Sequence, residues 1–256
     1  MIKEENRFVS SNILEGMTSI SALLGAQDAG VNDRMITEIL VDKAKKAKKS
    51  REYAFLAHKC AEKNIKLTLT DAEALTKICI GNTHGGIVAL CGERTLPSPS
   101  RNNLPSNGFL CLLEGIEDPY NFGYALRSLY AAGCDGILLG ERNWMSAAGV
   151  VARASAGASE SMPIWTGNTE DAISLLKEMG YRIVCAGIRD SVGLYDADLK
   201  KPLLLVVGGE KRGISADMLS KADQIVRIDY GREFRGSLSA ASAATVMAFE
   251  ILRQNS

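Results

Sequence analysis

Leu203-Leu204-Leu205-Val206-Val207-Gly208-Gly209-Glu210-Lys211-Arg212-Gly213-Ile214 passes from five aliphatic residues into a glycine-rich turn. A short apolar run bounded by turn residues predicts a strand covered on both faces. Glycine in such a turn lets backbone amides approach a ligand closely. The turn is not a P-loop, because no Lys-Ser/Thr follows Gly213, and it contains no GxGxxG. A plain strand-to-helix connection would carry the same residues.

Outward from this strand, Phe109–Leu113, Gly136–Leu139, Arg182–Ala186 and Gln224–Ile228 also read as strands. Helical patterns at Asn121–Ala132, Met145–Ala156, Thr169–Met179, Ser215–Lys221 and Ser239–Arg253 follow most of the strands. That alternation predicts an α/β fold with a largely parallel sheet covered by helices. Ligands in such folds sit beyond the carboxyl ends of strands, so the chemistry is sought in those loops.

Two other loops belong to this set. In Leu113–Ser128, Asp118-Pro119 can open a helix, with Pro in the first turn. Asn121 then falls near the helix N-terminus, and Arg127 follows about one and two-thirds turns later. Taken alone, Arg127 is a solvent-facing arginine. In Arg227–Ala244, Ser237 or Ser239 is a natural N-cap for a helix that begins in small residues.

Residues 96–108 hold three of the six prolines among Ser and Asn, which predicts a linker. The expected division is a first domain over 1–95, a linker over 96–107 and a second domain over 108–256. In the first domain Ile36–Val41, Leu67–Leu69 and Gly86–Leu90 read as strands, with one long helix over Lys43–Glu62. That helix opens with Lys43, Lys45, Lys46, Lys48, Lys49 and Arg51. Such a run is either a solvated face or a phosphate-contacting one.

Composition narrows the function. Thirty basic and thirty acidic residues cancel, which removes a global positive field but not a local patch. The six cysteines are scattered without a CxxC pair, as expected of buried thiols in a reducing compartment. With only His58 and His84, a zinc enzyme or a Ser-His-Asp hydrolase is disfavoured, and no metal is expected. Acid appears at once in Met1–Asn6, and the longest aliphatic stretch is far too short to span a bilayer. A cytoplasmic protein without a membrane partner is expected.

Taken in order, the three loops resemble the SpoU (TrmH-like) branch of the SPOUT RNA methyltransferases. Asn121-Phe122-Gly123 with Arg127-Ser128 is similar to the first motif of that family. Val207-Gly208-Gly209-Glu210 with Gly213 is similar to the second, and Ser237-Leu238-Ser239 with its small-residue helix to the third. Glu15-Gly16 and His84–Ala89 resemble points of the substrate-binding domain that often precedes the catalytic one. The chain departs from the family where Ser239 replaces an Asn and where Asp229-Tyr230 replaces Pro-Met.

The resemblance implies a trefoil-knotted α/β methyltransferase domain preceded by a small α/β, L30e-like RNA-binding domain. It implies S-adenosyl-L-methionine as cofactor and a homodimer formed through the methyltransferase domain, with active sites at the protomer interface. The substrate would be RNA, ribosomal ahead of transfer RNA, methylated at a ribose 2′-hydroxyl. The implied catalytic set is Arg127, Asn121, Glu210, Ser237 and Ser239; Val207, Gly208, Gly209, Ile228 and Leu238 would contact the cofactor. In this setting Lys45, Lys46, Lys48, Lys49 and Arg51 become candidate RNA contacts. Because of Ser239 and Asp229, an RNA-binding homologue without turnover and a base-nitrogen methyltransferase stay open as alternatives.

Overall fold

The structure is a computed structural model that describes residues 12–46, 48, 50–79 and 84–256. The chain begins with β1 (Ile13–Glu15), α1 (Gly16–Asp28) and β2 (Ile36–Asp42). It continues through α2 (Lys43–Lys46), α3 (Ser50–Lys63), β3 (Lys66–Thr70), α4 (Ala72–Ile78) and β4 (Ile87–Cys91). The expected single helix over Lys43–Glu62 is therefore two. Lysines three and four apart repel along a helix face, and the helix stops within that run. The Asp42 side chain, accepting from the Ala44 amide at 2.9 Å, sets where α2 starts.

Next come β5 (Phe109–Glu114), α5 (Pro119–Ala131) and β6 (Gly136–Leu139), then a 3₁₀ turn at Met145–Ala147. They are followed by α6 (Ala148–Ala154), α7 (Ala158–Ser161), β7 (Ile164–Thr166), α8 (Thr169–Glu178) and β8 (Arg182–Ala186). The chain closes with β9 (Val192–Gly193), β10 (Leu203–Gly208), α9 (Ala216–Ser220), β11 (Gln224–Arg227) and α10 (Ala240–Asn255).

These elements form two compact units. The first contains the residues up to 95 together with 144–161, so α6 and α7 pack with the N-terminal elements rather than with the second domain. Its sheet runs β1-β4-β2-β3, with only β2 and β3 parallel. Leu14, Ile20, Leu23, Ile39 and Leu56 form its core together with Ala148 and Ala152 of α6. A buried polar cluster fixes α7 in this unit. Arg34 Nε donates to Glu160 Oε2 at 2.9 Å, and Asn32 Nδ2 donates to the same oxygen at 2.8 Å. Arg34 also reaches the Gly92 carbonyl at 2.8 Å, and Arg94 the Ser159 carbonyl at 2.7 Å. A charge pair this deep is tolerated because each partner has further hydrogen bonds.

The second unit is a seven-stranded sheet in the order β7-β6-β5-β10-β8-β11-β9, every neighbouring pair parallel. The aliphatic run 203–207 is fully buried at its centre, as both faces are covered. One face packs Leu110, Leu112, Leu204 and Val206 against Ile173 and Leu176 of α8 and Met218 of α9. Alternation along the strands turns Cys111, Leu113, Leu205 and Val207 to the opposite face. There α10 packs on β10 and α5. The stretch 96–107 is not a free tether, because it is bound to this unit. Leu104 joins the core, the Pro97 carbonyl accepts from the Thr166 amide, and the Pro105 carbonyl accepts from the Tyr181 hydroxyl at 2.5 Å. Among the described residues no helix is long and apolar enough to cross a membrane.

Candidate active site

Strand order decides where the loops meet. The chain lays β6 and β7 to one side of β5, and β8 and β9 to the other, then inserts β10 between β5 and β8 and, last, β11 between β8 and β9. The carboxyl ends of β8, β10 and β11 thus lie side by side, at the kind of switch in strand order where α/β folds bind ligands. A cavity of about 990 Å³ opens there. Its walls come from 186–190 after β8, 207–214 after β10 and 225–238 around β11.

All five expected cofactor contacts, Val207, Gly208, Gly209, Ile228 and Leu238, line this cavity, together with Glu210 and Ser237. The two glycines of the β10 turn are dictated by crowding. A Cβ on Gly208 would fall 2.3 Å from the Gly213 carbonyl carbon, and one on Gly209 would fall 2.0 Å from the Gly115 carbonyl oxygen. The Gly209 amide donates to the Glu114 carbonyl at 2.7 Å, which ties the β5 and β10 turns together.

α5 begins as its sequence predicts: Asp118 caps it by accepting from the Asn121 amide at 2.8 Å, and Pro119 occupies the first turn. The Asn121 side chain then reaches the β10 turn, where its Nδ2 donates to Glu210 Oε1. The same Glu210 oxygen accepts from the Ala240 amide at 2.9 Å, and Asn121 Oδ1 accepts from the Ala241 amide at 3.3 Å. The first amides of α10 have no partners within the helix, so this pair of side chains satisfies two of them. A carboxylate there also meets the positive end of the helix dipole. Ser239 is the N-cap, its Oγ accepting from the Ser242 amide at 3.2 Å. Farther along, the Ser128 and Thr245 hydroxyls meet at 2.7 Å between α5 and α10.

Asn121 and Ser239 do not line the cavity but border it through Glu210 and the start of α10, whereas Arg127 stands apart from these bonds. It is exposed on α5 and is not among the residues lining the cavity. It lies three residues from both Tyr124 and Tyr130, which are exposed on the same side of the helix. In the first unit Lys46, Lys48 and Arg51 are exposed, with Lys46 Nζ 4.7 Å from the Tyr53 ring centre; the Lys45 side chain and Lys49 lie outside the described residues.

The loop 187–190 was not expected in the site. Ile188, Arg189 and Asp190 line the cavity, and the signal available was their position just past the strand Arg182–Ala186. Tyr230 and Phe234, also in the wall, belong to the third loop, whose motif does not single them out. Asp229 lines the cavity with its Oδ1 accepting from Arg227 Nε at 2.7 Å. No cysteine lines the cavity, and burial pushes the Cys134 and Cys185 thiols up to about 12. Among the described residues no group of three or more His, Cys, Asp or Glu side chains could hold a metal ion.

Comparison with known proteins agrees with this geometry. The sequence profile of the SpoU rRNA Methylase family matches residues 108–249, and that of the RNA 2′-O ribose methyltransferase substrate-binding domain matches residues 13–97. A 23S rRNA (guanosine-2′-O-)-methyltransferase RlmB from Burkholderia sp is 30% identical over 246 residues, 94% of this chain and 96% of that one. The RlmB of Shewanella oneidensis is 31% identical over 196 residues, covering 73% and 78% of the two chains. The fold matches the AdoMet-bound rRNA methyltransferase of Sinorhizobium meliloti with a TM-score of 0.77 and 24% identity, covering 94% of this chain and 86% of that one. With one profile over the glycine-turn domain and another over the domain before it, the chain belongs to the SpoU family of rRNA methylases.

Proposed function

We propose that this protein transfers a methyl group from S-adenosyl-L-methionine to a ribose 2′-hydroxyl of ribosomal RNA, as a cytoplasmic homodimer. The observation that carries this reading is the convergence of Val207, Gly208, Gly209, Ile228 and Leu238 on one cavity, with the Asn121–Glu210 pair beside it. The walls suit the cofactor. Ile214, Ile225 and Met247 offer apolar surface for an adenine, and Glu210 and Asp190 offer carboxylates to a ligand carrying a sulfonium and an ammonium. When bound, the cofactor supplies an electrophilic methyl group, so that an oxygen–carbon bond forms, the sulfur–carbon bond breaks and the hydroxyl proton is released.

The residues of the chain contribute position and charge. Asn121 and Glu210 hold the start of α10, and with it the Leu238 wall, against the β10 turn. Alignment of two reacting groups can lower a barrier by roughly 7–11 kcal/mol in the most favourable cases. A guanidinium stays protonated at neutral pH, so the role assigned to Arg127 is to hold a phosphate and stabilise the developing alkoxide rather than to act as a base. Arg127 lies outside the cavity wall and on the exposed side of α5, which favours its serving the cavity of a second copy. The face for that copy is the outer side of α5 and α10, where Tyr124, Tyr130, Phe249 and Leu252 are exposed. The family's trefoil knot would lie in the same turns, where Gly208 meets Gly213 closely.

Lys46, Lys48 and Arg51, with Lys45 and Lys49, would add phosphate contacts from the first unit. A second reading, an RNA-binding protein without turnover, has one observation in its favour: Ser239, in place of an amide side chain, is engaged as a helix cap. The test is methyl transfer from labelled S-adenosylmethionine to ribosomal RNA by the wild type and Arg127→Ala. The wild type should incorporate label, and Arg127→Ala should abolish transfer while calorimetry gives nearly unchanged cofactor affinity. Retained turnover in the variant, or none in the wild type, defeats this assignment.

A further inference from the structure

The segment after β11 carries two aromatic rings that the folded chain does not bury. Phe234 is 59% exposed and Tyr230 40% exposed, although both line the cavity. Their ring centres are 5.8 Å apart in a tilted arrangement, within the range of favourable aromatic pairs. One hydrogen bond anchors the pair. The Tyr230 hydroxyl accepts from the Leu238 amide at 3.2 Å, anchoring one ring to the third-motif turn. Behind the other ring stands Gly236, where a Cβ would come within 2.6 Å of Phe234 Cζ. The phenyl ring thus folds back over the Gly236 backbone at the cavity wall.

Charge surrounds these rings. Arg232 and Arg235 flank Phe234 in sequence and are exposed, and Arg189 and Arg235 line the same cavity. Glu233 is the acidic residue between them, and Asp229 is already engaged by Arg227. An exposed ring held at a cavity between arginines matches how single-stranded RNA is bound, by stacking a base on an aromatic face while cations take the phosphates.

We propose that Phe234, backed by Tyr230, is a stacking platform for an unpaired base of the substrate RNA at or beside the methylated nucleotide, with Arg232 and Arg235 taking the flanking phosphates. This rests on the RNA methyltransferase reading above and adds how that substrate is held. It makes Phe234 a substrate-binding residue. It also gives Tyr230 a purpose at a position where the chain departs from the family pattern.

The experiment measures filter binding of transcribed 23S rRNA fragments, calorimetry with S-adenosylmethionine, and sedimentation, for the wild type, Phe234→Ala, Phe234→Trp and Arg232→Ala/Arg235→Ala. Phe234→Ala should weaken RNA binding at least about fivefold. Its cofactor affinity should change less than twofold, and Phe234→Trp should restore RNA binding. The double arginine variant should weaken binding and flatten its salt dependence. RNA affinity within twofold of wild type in Phe234→Ala overturns the proposal. So does a loss confined to cofactor affinity, which would make the ring a cofactor cover, or a loss of self-association, which would make it part of an interface between copies. Binding is read without turnover, so a wild type that binds RNA but transfers no methyl would sink the enzyme reading, while the Phe234 variants still decide whether the ring stacks an RNA base.

Discussion

Asn121 of α5 and Glu210 of the β10 turn, 89 residues apart in sequence, are joined by a hydrogen bond from Nδ2 to Oε1, and together they accept from two amides of α10. Three segments of the second unit therefore meet through two side chains. The amide can donate to Glu210 and accept from Ala241 at once, which no carboxylate could do at neutral pH.

Asn121→Asp should thus be worse than Asn121→Ala. It sets a second carboxylate against Glu210, and the two like charges oppose each other. We expect Asn121→Asp to cost about 1–3 kcal/mol in urea denaturation. Asn121→Asp/Glu210→Gln should recover part of that loss, because the donor and acceptor are exchanged. An additive double variant would remove the direct coupling from this account.

Much of the second unit is legible in the sequence because its strands are short, largely buried runs closed by glycine, as at 136–139, 182–186 and 203–208. β1, β7 and β9 are not, since two or three residues carry no periodicity and are strands only by pairing with a neighbour. The same limit hid the place of α7. Glu160 falls between the predicted helices Met145–Ala156 and Thr169–Met179, and only its contact with Arg34, 126 residues away, draws it into the first unit. At the site, motif order identified the cavity wall. The bond between Asn121 and Glu210 follows instead from β10 entering the sheet beside β5, a non-local event. Nothing local marked Phe234 as an exposed ring.

Acid should weaken the end of α10 in a particular way. The Glu250 carboxyl is buried, and hydrogen bonds from Arg253, then Gln254, hold it below its ordinary value of 4.5. A lowered folded-state value stabilises the protein above about pH 4.5, and that contribution fades as pH falls through the folded value. Glu250→Gln should therefore be less stable than wild type at neutral pH. The gap measured by urea denaturation should narrow below about pH 4.5. A gap that widens in acid would have the wrong sign.

The basic run of the first unit gives a salt-dependence prediction. Each phosphate contact adds about 0.7–0.9 to the slope of log affinity against log salt. Lys46→Glu/Lys48→Glu/Arg51→Glu should lower 23S rRNA affinity and reduce that slope by about 2–3. An unchanged slope would return these side chains to a solvated face.

The dimer can be tested by complementation. Arg127→Ala lacks the guanidinium, and Leu238→Trp fills part of the cavity. Each should be inactive alone. If Arg127 serves a partner's cavity, mixed dimers keep one working site, and random mixing returns about a quarter of wild-type turnover. Heterodimers that form but show no turnover would put Arg127 and the cavity on the same protomer.

The most direct measurement is nucleoside mass spectrometry of ribosomal RNA from cells with and without this gene. One ribose-methylated nucleoside should vanish without the gene and return when wild type, but not Arg127→Ala, is supplied. Identical nucleosides in the two strains, or a lost methyl group that sits on a base, would contradict the assignment.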